Sequence, residues 1–412
     1  MSWYLSRSYF FDVHPPFGRL LYTLIAWLLG YDGKLVTYDV GESYIAHRVP
    51  YLALRSLPAL LSTLTVSVIY LIMWESGFGI PACAVAAGLV LLDNAQIAQT
   101  RLIYLDAILC FSIACSLLFY IKFSKLRDQP MSKKWWTWLF FTGIALSCSI
   151  STKYVGLFTF LTIGIYATID LWELFNIRSG RALSLPDFAK HFIARAFSLM
   201  VFPFALYLTW FQIHFAILTS SGEGDEFMSE EFLQILNRNG TLEKGVKSLS
   251  FFRKWVELQM VMLEENNLLP RGHPYESRPH QWPLSSGGVA FWCSDENRQQ
   301  IYFLGNLPGW WIATGSLAGF VSVVVIDQLC RARGLNLLRP CMFAPETSCT
   351  RLISRFSNRY PISSTQIWQP LLPYLGSPLF SILLNESATD ATHLSSRPLG
   401  LDYGRRFLSG PS

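Results

Sequence analysis

The sequence predicts an all-α polytopic membrane protein, and three observations carry that prediction. The 412 residues are 51% hydrophobic and 15% aromatic but only 15% charged, where a soluble domain carries roughly 25% charged residues. Mean hydropathy is +0.32. Apolar runs long enough to cross a bilayer, about 20 residues each, recur along the chain. The basic residues gather in short clusters between those runs, so the net charge of +5 speaks for membrane topology and against nucleic acid as a partner.

Taken in order, Phe17–Gly30 is too short to cross and carries Arg19, so it reads as a helix lying at the interface. Leu57–Met73 is the first span. Ile80–Asn94, continued to Ile97, and Leu102–Phe123 follow. Trp135–Ile150 and Val155–Trp172 are separated by the polar stretch SISTKY. Ala194–Leu218 and Ile301–Leu329 complete a set of about seven. Three basic clusters, Lys122–Lys134, Arg178–Arg181 with Lys190 and Arg195, and Arg331–Arg333, then fall on one face, which is cytosolic by the positive-inside rule. The expected domain plan is 1–47, an external segment; 48–218, the membrane core; 219–300, a polar external loop; 301–333, the last span; and 334–412. Within the loop, Asn239-Gly-Thr241 has glycosylation spacing. Residues 334–412 show no helical or strand period and read as an irregular, disordered tail.

Cysteine usage adds no metal or disulfide signal. Cys83, Cys110, Cys115 and Cys148 lie in apolar runs as small core residues. Cys293, Cys330, Cys341 and Cys349 lack CxxC spacing. No signal peptide is expected, because the first thirteen residues hold no apolar h-region.

Three sets of residues point to chemistry. In DVHPP, proline fixes its own φ and holds the preceding residue extended. His14 is therefore aimed by a stiff backbone, and Asp12, two residues earlier, points to the same side. The plainer reading is a helix start with Pro16 in the first turn. Second, Arg55, Arg101, Asp106 and Lys153 lie at span ends away from the basic clusters. Ionisable groups at that depth are costly and functional, and converging cations suit a lipid-borne phosphate. The bland alternative is snorkelling. Third, GHPYESRPHQWP carries His273, His280 and Trp282, which either line a peptide groove or belong to an ordered loop packed on the membrane.

Six blocks in order, YFFDVHPPFGRLLYTLIAWLLGYDG, LVLLDNAQIAQTRLIYLDAILCF, SISTKYVGLFTF, SSGEGDEFMSEEF, HPYESRPHQWP and QQIYFLGNLPGWW, resemble the protein O-mannosyltransferases, in wording most like the fungal branch grouped with subfamily four. The resemblance spans about Tyr9 to Arg333. It implies the C-type glycosyltransferase (GT-C) fold in an endoplasmic-reticulum membrane. The implied reaction moves mannose from dolichyl phosphate mannose to Ser or Thr hydroxyls of secretory and membrane proteins, with inversion. No cofactor beyond the lipid-linked donor is implied, and a homo- or heterodimer with another mannosyltransferase chain is expected.

By motif position, Asp12, His14, Arg55, Arg101 and Lys153 are expected at the donor, with Arg55 on its phosphate. His273, His280 and Trp282 are expected at the acceptor or in the loop. The family carries its catalytic Asp-Glu pair in a loop before the HPP elbow, and this sequence starts thirteen residues before His14. Asp225-Glu226 and Asp295-Glu296 lie outside the matching position, so no catalytic carboxylate is assigned. There is also no room between about Arg238 and Ser250 for the family's β-trefoil MIR domain. A truncated chain is therefore the expectation, and an inactive paralogue or regulatory partner of a mannosyltransferase dimer is the alternative reading. A lipid-head-group transporter is a third reading, against which the absence of internal repeats counts.

Overall fold

The structure, a computed structural model, describes residues 1–33, 44–45, 47–177, 180–236, 249–268, 279–294 and 299–333. The tail from 334, the Asn239 sequon, His273 and the Asp295-Glu296 pair lie outside the described residues. Thirteen helices are described: α1 Ser2–Leu5, α2 Phe17–Leu28, α3 Tyr51–Glu75, α4 Ile80–Leu91, α5 Asn94–Gln99, α6 Asp106–Ser124, α7 Lys133–Ile150, α8 Gly156–Phe175, α9 Leu185–Ala196, α10 Phe202–Ile217, α11 Glu230–Leu233, α12 Phe251–Leu268 and α13 Leu307–Ala332. A single two-stranded antiparallel sheet is described, β1 Val289–Ser294 with β2 Gln299–Phe303.

Among the described residues five segments are long and apolar enough to cross a membrane: α3, α6, α8, the continuous run Leu185–Ile217 and the Leu307–Ile326 part of α13. The expected set of about seven is recovered only by adding α7 and α4. Two lysines and three tryptophans lower the hydropathy of α7, and α4 has 12 residues. Apolar side chains such as Leu52, Leu161 and Ile326 stand exposed on these helices, where hydrocarbon would surround a membrane-spanning segment.

Three span boundaries move for local reasons. The expected span from Ile80 through Ile97 breaks, because Asp93 caps a new helix: its Oδ1 accepts from the Gln96 amide at 3.0 Å. Leu102–Leu105 is a turn, and α6 starts at Asp106. Ile301–Phe303 belongs to β2, with the last helix starting at Leu307. The 219–300 region also holds more structure than a polar loop. Its helix α12 buries Leu258 and Met262, one turn apart, into a core with Tyr4, Tyr9, Phe10, Tyr207, Phe211 and Phe232.

Between α9 and α10 the helix widens into a π-turn, Phe197–Val201. Gly143 of α7 packs against it. A Cβ on Gly143 would stand 2.2 Å from the Ser198 carbonyl oxygen. We expect Gly143→Val to cost about 1–3 kcal/mol through overpacking, read as a lower midpoint in a thermal melt of the detergent-solubilised chain. An unchanged melt would show that α7 and the π-turn move apart freely.

The basic clusters meet acidic partners at one end of the bundle. Glu75 binds Lys122 at 2.9 Å and Lys125 at 2.6 Å. Asp170 binds Arg195 at 2.5 Å and Arg127 at 3.3 Å, and Arg181 pairs with Glu173. Arg195 also lies over Phe123 and Trp135, 5.2 and 5.5 Å from their ring centroids. The alternation of helices places the elbow, Asp106 and Lys153 at the opposite end, as the topology read from the sequence requires.

Candidate functional site

At that opposite end the chain folds three separate segments together. The HPP elbow leads into α2, whose first amide, Phe17 N–H, donates to the Ser151 carbonyl at 3.1 Å. Gly18 permits the close approach that follows. A Cβ there would come within 2.7 Å of Leu105 and 3.4 Å of Thr152. Tyr22 Oη donates to the Tyr104 carbonyl at 2.7 Å. The elbow, the turn before α6 and the turn after α7 therefore form one unit.

Helix α12 braces that unit from the side. Asn266 Nδ2 donates to the Val13 carbonyl at 3.3 Å. Gln259 Oε1 accepts from Tyr207 Oη at 2.6 Å and from Tyr154 Oη at 3.1 Å. Burial pushes the Tyr154 phenol up to about 12, which keeps it a donor. The sequence reading did not include α12, although Phe251, Trp255, Leu258 and Met262 recur at helical spacing.

Each expected site residue within the described residues has a definite place. One Asp12 carboxylate oxygen accepts from the backbone N–H of His14 at 2.8 Å, and the other is ion-paired with Arg19. Arg19, read from sequence only as a mark of an interfacial helix, thus fixes the elbow. Asp12 and His14 border a narrow gap of about 10 Å³ shared with Tyr4, Phe211 and His214, room for one water at most. His214 is buried, and its Nδ1 is bonded to Tyr4 Oη at 2.7 Å.

Lys153 Nζ stands 3.1 Å from Asp106 Oδ1, and both side chains are buried. Close by, the Tyr104 phenol is raised above its ordinary range, first by burial, then by the Asp106 carboxylate and Tyr44, with Lys153 opposing. The pair is a charged tie between the start of α6 and the turn after α7.

Arg55 and Arg101 share a larger space. They line a cavity of about 530 Å³ between α3, α4 and α5, with Ala59, Val66, Val90 and Ile97 among its apolar walls. The Arg55 guanidinium lies 5.7 Å from the ring centroids of both Tyr44 and Tyr51, which are stacked on each other. Among the described residues no carboxylate pairs with Arg55 or Arg101. This pocket has the polar rim and apolar walls that an anionic amphiphile requires.

His280 is exposed and Trp282 half-buried. Their segment, the 3₁₀ turn Pro279–Leu284, is tied to α13: Trp311 Nε1 donates to the Leu284 carbonyl at 2.7 Å, and Thr314 Oγ1 to the Pro283 carbonyl at 2.6 Å. Asp93 adds a second anchor for α13, accepting from Trp310 Nε1 at 2.8 Å. The Trp311 and Thr314 contacts tie the backbone of the turn to α13. Asp225 is occupied by its own turn, accepting from the Gly222 amide at 3.0 Å and from Ser221 Oγ. No group of three or more His, Cys, Asp or Glu side chains able to hold a metal occurs among the described residues.

Comparison with known proteins gives the same outline. The family described as dolichyl-phosphate-mannose-protein mannosyltransferase matches residues 1–219, and the C-terminal four-helix region of protein O-mannosyltransferases matches 251–360. Dolichyl-phosphate-mannose--protein mannosyltransferase 4 of Candida albicans is 30% identical over 82% of this chain and 73% of its own length. The Schizosaccharomyces pombe protein of the same description is 45% identical over 72% of this chain, which spans 38% of that relative. Among solved structures, the Saccharomyces cerevisiae Pmt1–Pmt2 complex bound to the sugar donor superimposes with a TM-score of 0.74 at 19% identity, over 97% of this chain and 81% of that one, so the GT-C fold expected from the sequence is shared. This multi-pass membrane chain belongs to the dolichyl-phosphate-mannose-protein mannosyltransferase family.

Proposed function

We propose that the chain forms the membrane core of an enzyme that transfers mannose from dolichyl phosphate mannose to Ser or Thr hydroxyls of secretory and membrane proteins, with inversion, on the lumenal side of the endoplasmic reticulum. The observation that carries this reading, given the family, is the cavity holding Arg55 and Arg101 with no carboxylate among the described residues to neutralise them. The leaving group of this reaction is a phosphate on which negative charge grows. Fixed guanidinium groups in a low-dielectric site stabilise that charge as it develops. Arg55, held over two tyrosine rings, is the phosphate ligand in this reading, and Arg101 the outer one.

Asp12, His14 and the Lys153–Asp106 pair shape the elbow beside it. Both carboxylates are committed to cations, so the base that takes the acceptor proton is assigned to no described residue. The lipid-linked donor is the small-molecule partner, and no cofactor is invoked. The protein partner is a second mannosyltransferase chain, in line with the two-chain complex that shares the fold. On α13, none of the apolar stretch is buried, which leaves that helix to lipid or to such a partner.

The test is transfer by microsomes expressing the chain, with labelled dolichyl phosphate mannose and a Ser/Thr-rich peptide. Label in the peptide, released by an O-mannosidase, is the expected result. Its absence, alone and with a co-expressed relative, would remove the catalytic reading and favour a regulatory chain.

A further inference from the structure

We propose that the Arg55–Arg101 cavity recognises a hydroxyl carried close to the lipid-borne phosphate, and that Gln96 is the residue that reads it. The inference rests on the reading that Arg55 meets such a phosphate, and it extends that reading from the charge to what surrounds it.

Gln96 lines the cavity and is 3% exposed. Its Nε2 donates to Ser62 Oγ at 2.9 Å. Its Oε1, also buried, has no hydrogen-bond partner among the described residues. A buried acceptor without a donor carries a desolvation penalty that a ligand hydroxyl removes. Other hydroxyls around the cavity are already bonded to their own helices: Ser56 to the Ala53 carbonyl, Thr63 to Ala59 and Thr100 to Gln96. Gln96 Oε1 is the buried acceptor of this lining that has no donor among the described residues, and to it we assign the distinction between headgroups.

Position agrees with that role. Ser62 lies two turns along α3 from Arg55, about 10 Å at 1.5 Å per residue. Long side chains reaching from both ends shorten the gap between guanidinium and amide. A phosphate at the arginines and a hydroxyl at Gln96 then belong to one molecule. Two lipids offer that chemistry: a mannosyl isoprenyl phosphate, through its sugar, and a ceramide phosphate, through its backbone hydroxyl. A diacylglycerol phosphate offers the anion without the carbon-borne hydroxyl.

The experiment measures binding of these three lipids to the purified full chain in detergent, by ligand-dependent shift of the melting temperature and by native mass spectrometry. Gln96→Met keeps the length of the side chain and removes the acceptor. It is expected to weaken a hydroxyl-bearing lipid about tenfold, the loss of one hydrogen bond to a buried group, and to leave diacylglycerol phosphate unchanged. Whichever hydroxyl lipid responds identifies the source. Gln96→Glu keeps the shape and adds a negative charge, so all three phosphates are expected to weaken, which serves as the check if Gln96→Met melts early. Equal affinities of wild type and Gln96→Met for all three lipids would overturn the role of Gln96. If Arg55→Ala also left all three unchanged, the phosphate reading beneath it would fall as well.

Discussion

Arg55→Ala is expected to lower mannosyl transfer by about 10²–10³-fold, the loss usual for one preorganised group that stabilises developing charge. The fall should appear in kcat and in kcat/KM alike, because the phosphate gains its extra charge in the transition state. Arg55→Lys tests what kind of cation is needed. Lysine restores the charge but not the planar fork, and it stacks less well on Tyr44 and Tyr51. A recovery of only part of the loss is expected. Arg101 is exposed, so its attraction is screened by salt; Arg101→Ala should act mainly on KM, and more at low ionic strength. Steady-state transfer with dolichyl phosphate mannose as the varied substrate measures all three. If Arg55→Ala kept its kcat and lost only affinity, the arginine would be a donor anchor without a part in bond breaking.

That expectation was partly legible in the sequence, and the reason is physical. Arg55 and Arg101 stand at the ends of apolar runs, on the side away from the basic clusters, where a charge needs a purpose. Hydropathy alone therefore singled them out. What it does not encode is which of the cations share a space. Arg55 and Arg101 line one cavity because a break at Asp93 lets α5 turn back against α3. The break hides inside a run that reads as one span. Gln96 is hidden there for the same reason: within an apolar stretch it looks like an interruption, and only the fold shows that it reaches Ser62 of α3.

The elbow shows the opposite balance. Its rigidity follows from Pro15 and Pro16 and was readable, and so was the helix start at Phe17. The ion pair of Asp12 with Arg19 was not, because it depends on the first turn of α2 bringing that side chain back to the elbow. Helix α12 carries a readable apolar spacing, but it lies between polar blocks that dominate any window placed over them. Its purpose, holding Val13 and Tyr154 at once, depends on contacts more than a hundred residues apart in sequence.

The Lys153–Asp106 pair decides whether these contacts are scaffold or machinery. Both side chains are nearly sealed from solvent, so removing either one takes away a close opposite charge from a buried group. Lys153→Met alone is expected to destabilise the chain by about 3–5 kcal/mol, and Asp106→Asn by a similar amount. The double variant Lys153→Met/Asp106→Leu replaces the pair with apolar groups of comparable size. It should recover most of that loss, leaving a coupling energy well above the few tenths of a kcal/mol seen for independent sites. Denaturant unfolding in detergent measures the cycle. Transfer by the double variant then separates the roles. A pair that only ties the turn after α7 to the start of α6 allows transfer within a few-fold of wild type once stability returns. If the double variant were stable yet inactive, with Arg55 intact, Lys153 would belong to the donor site itself and Asp106 would be the group that holds its charge in reserve.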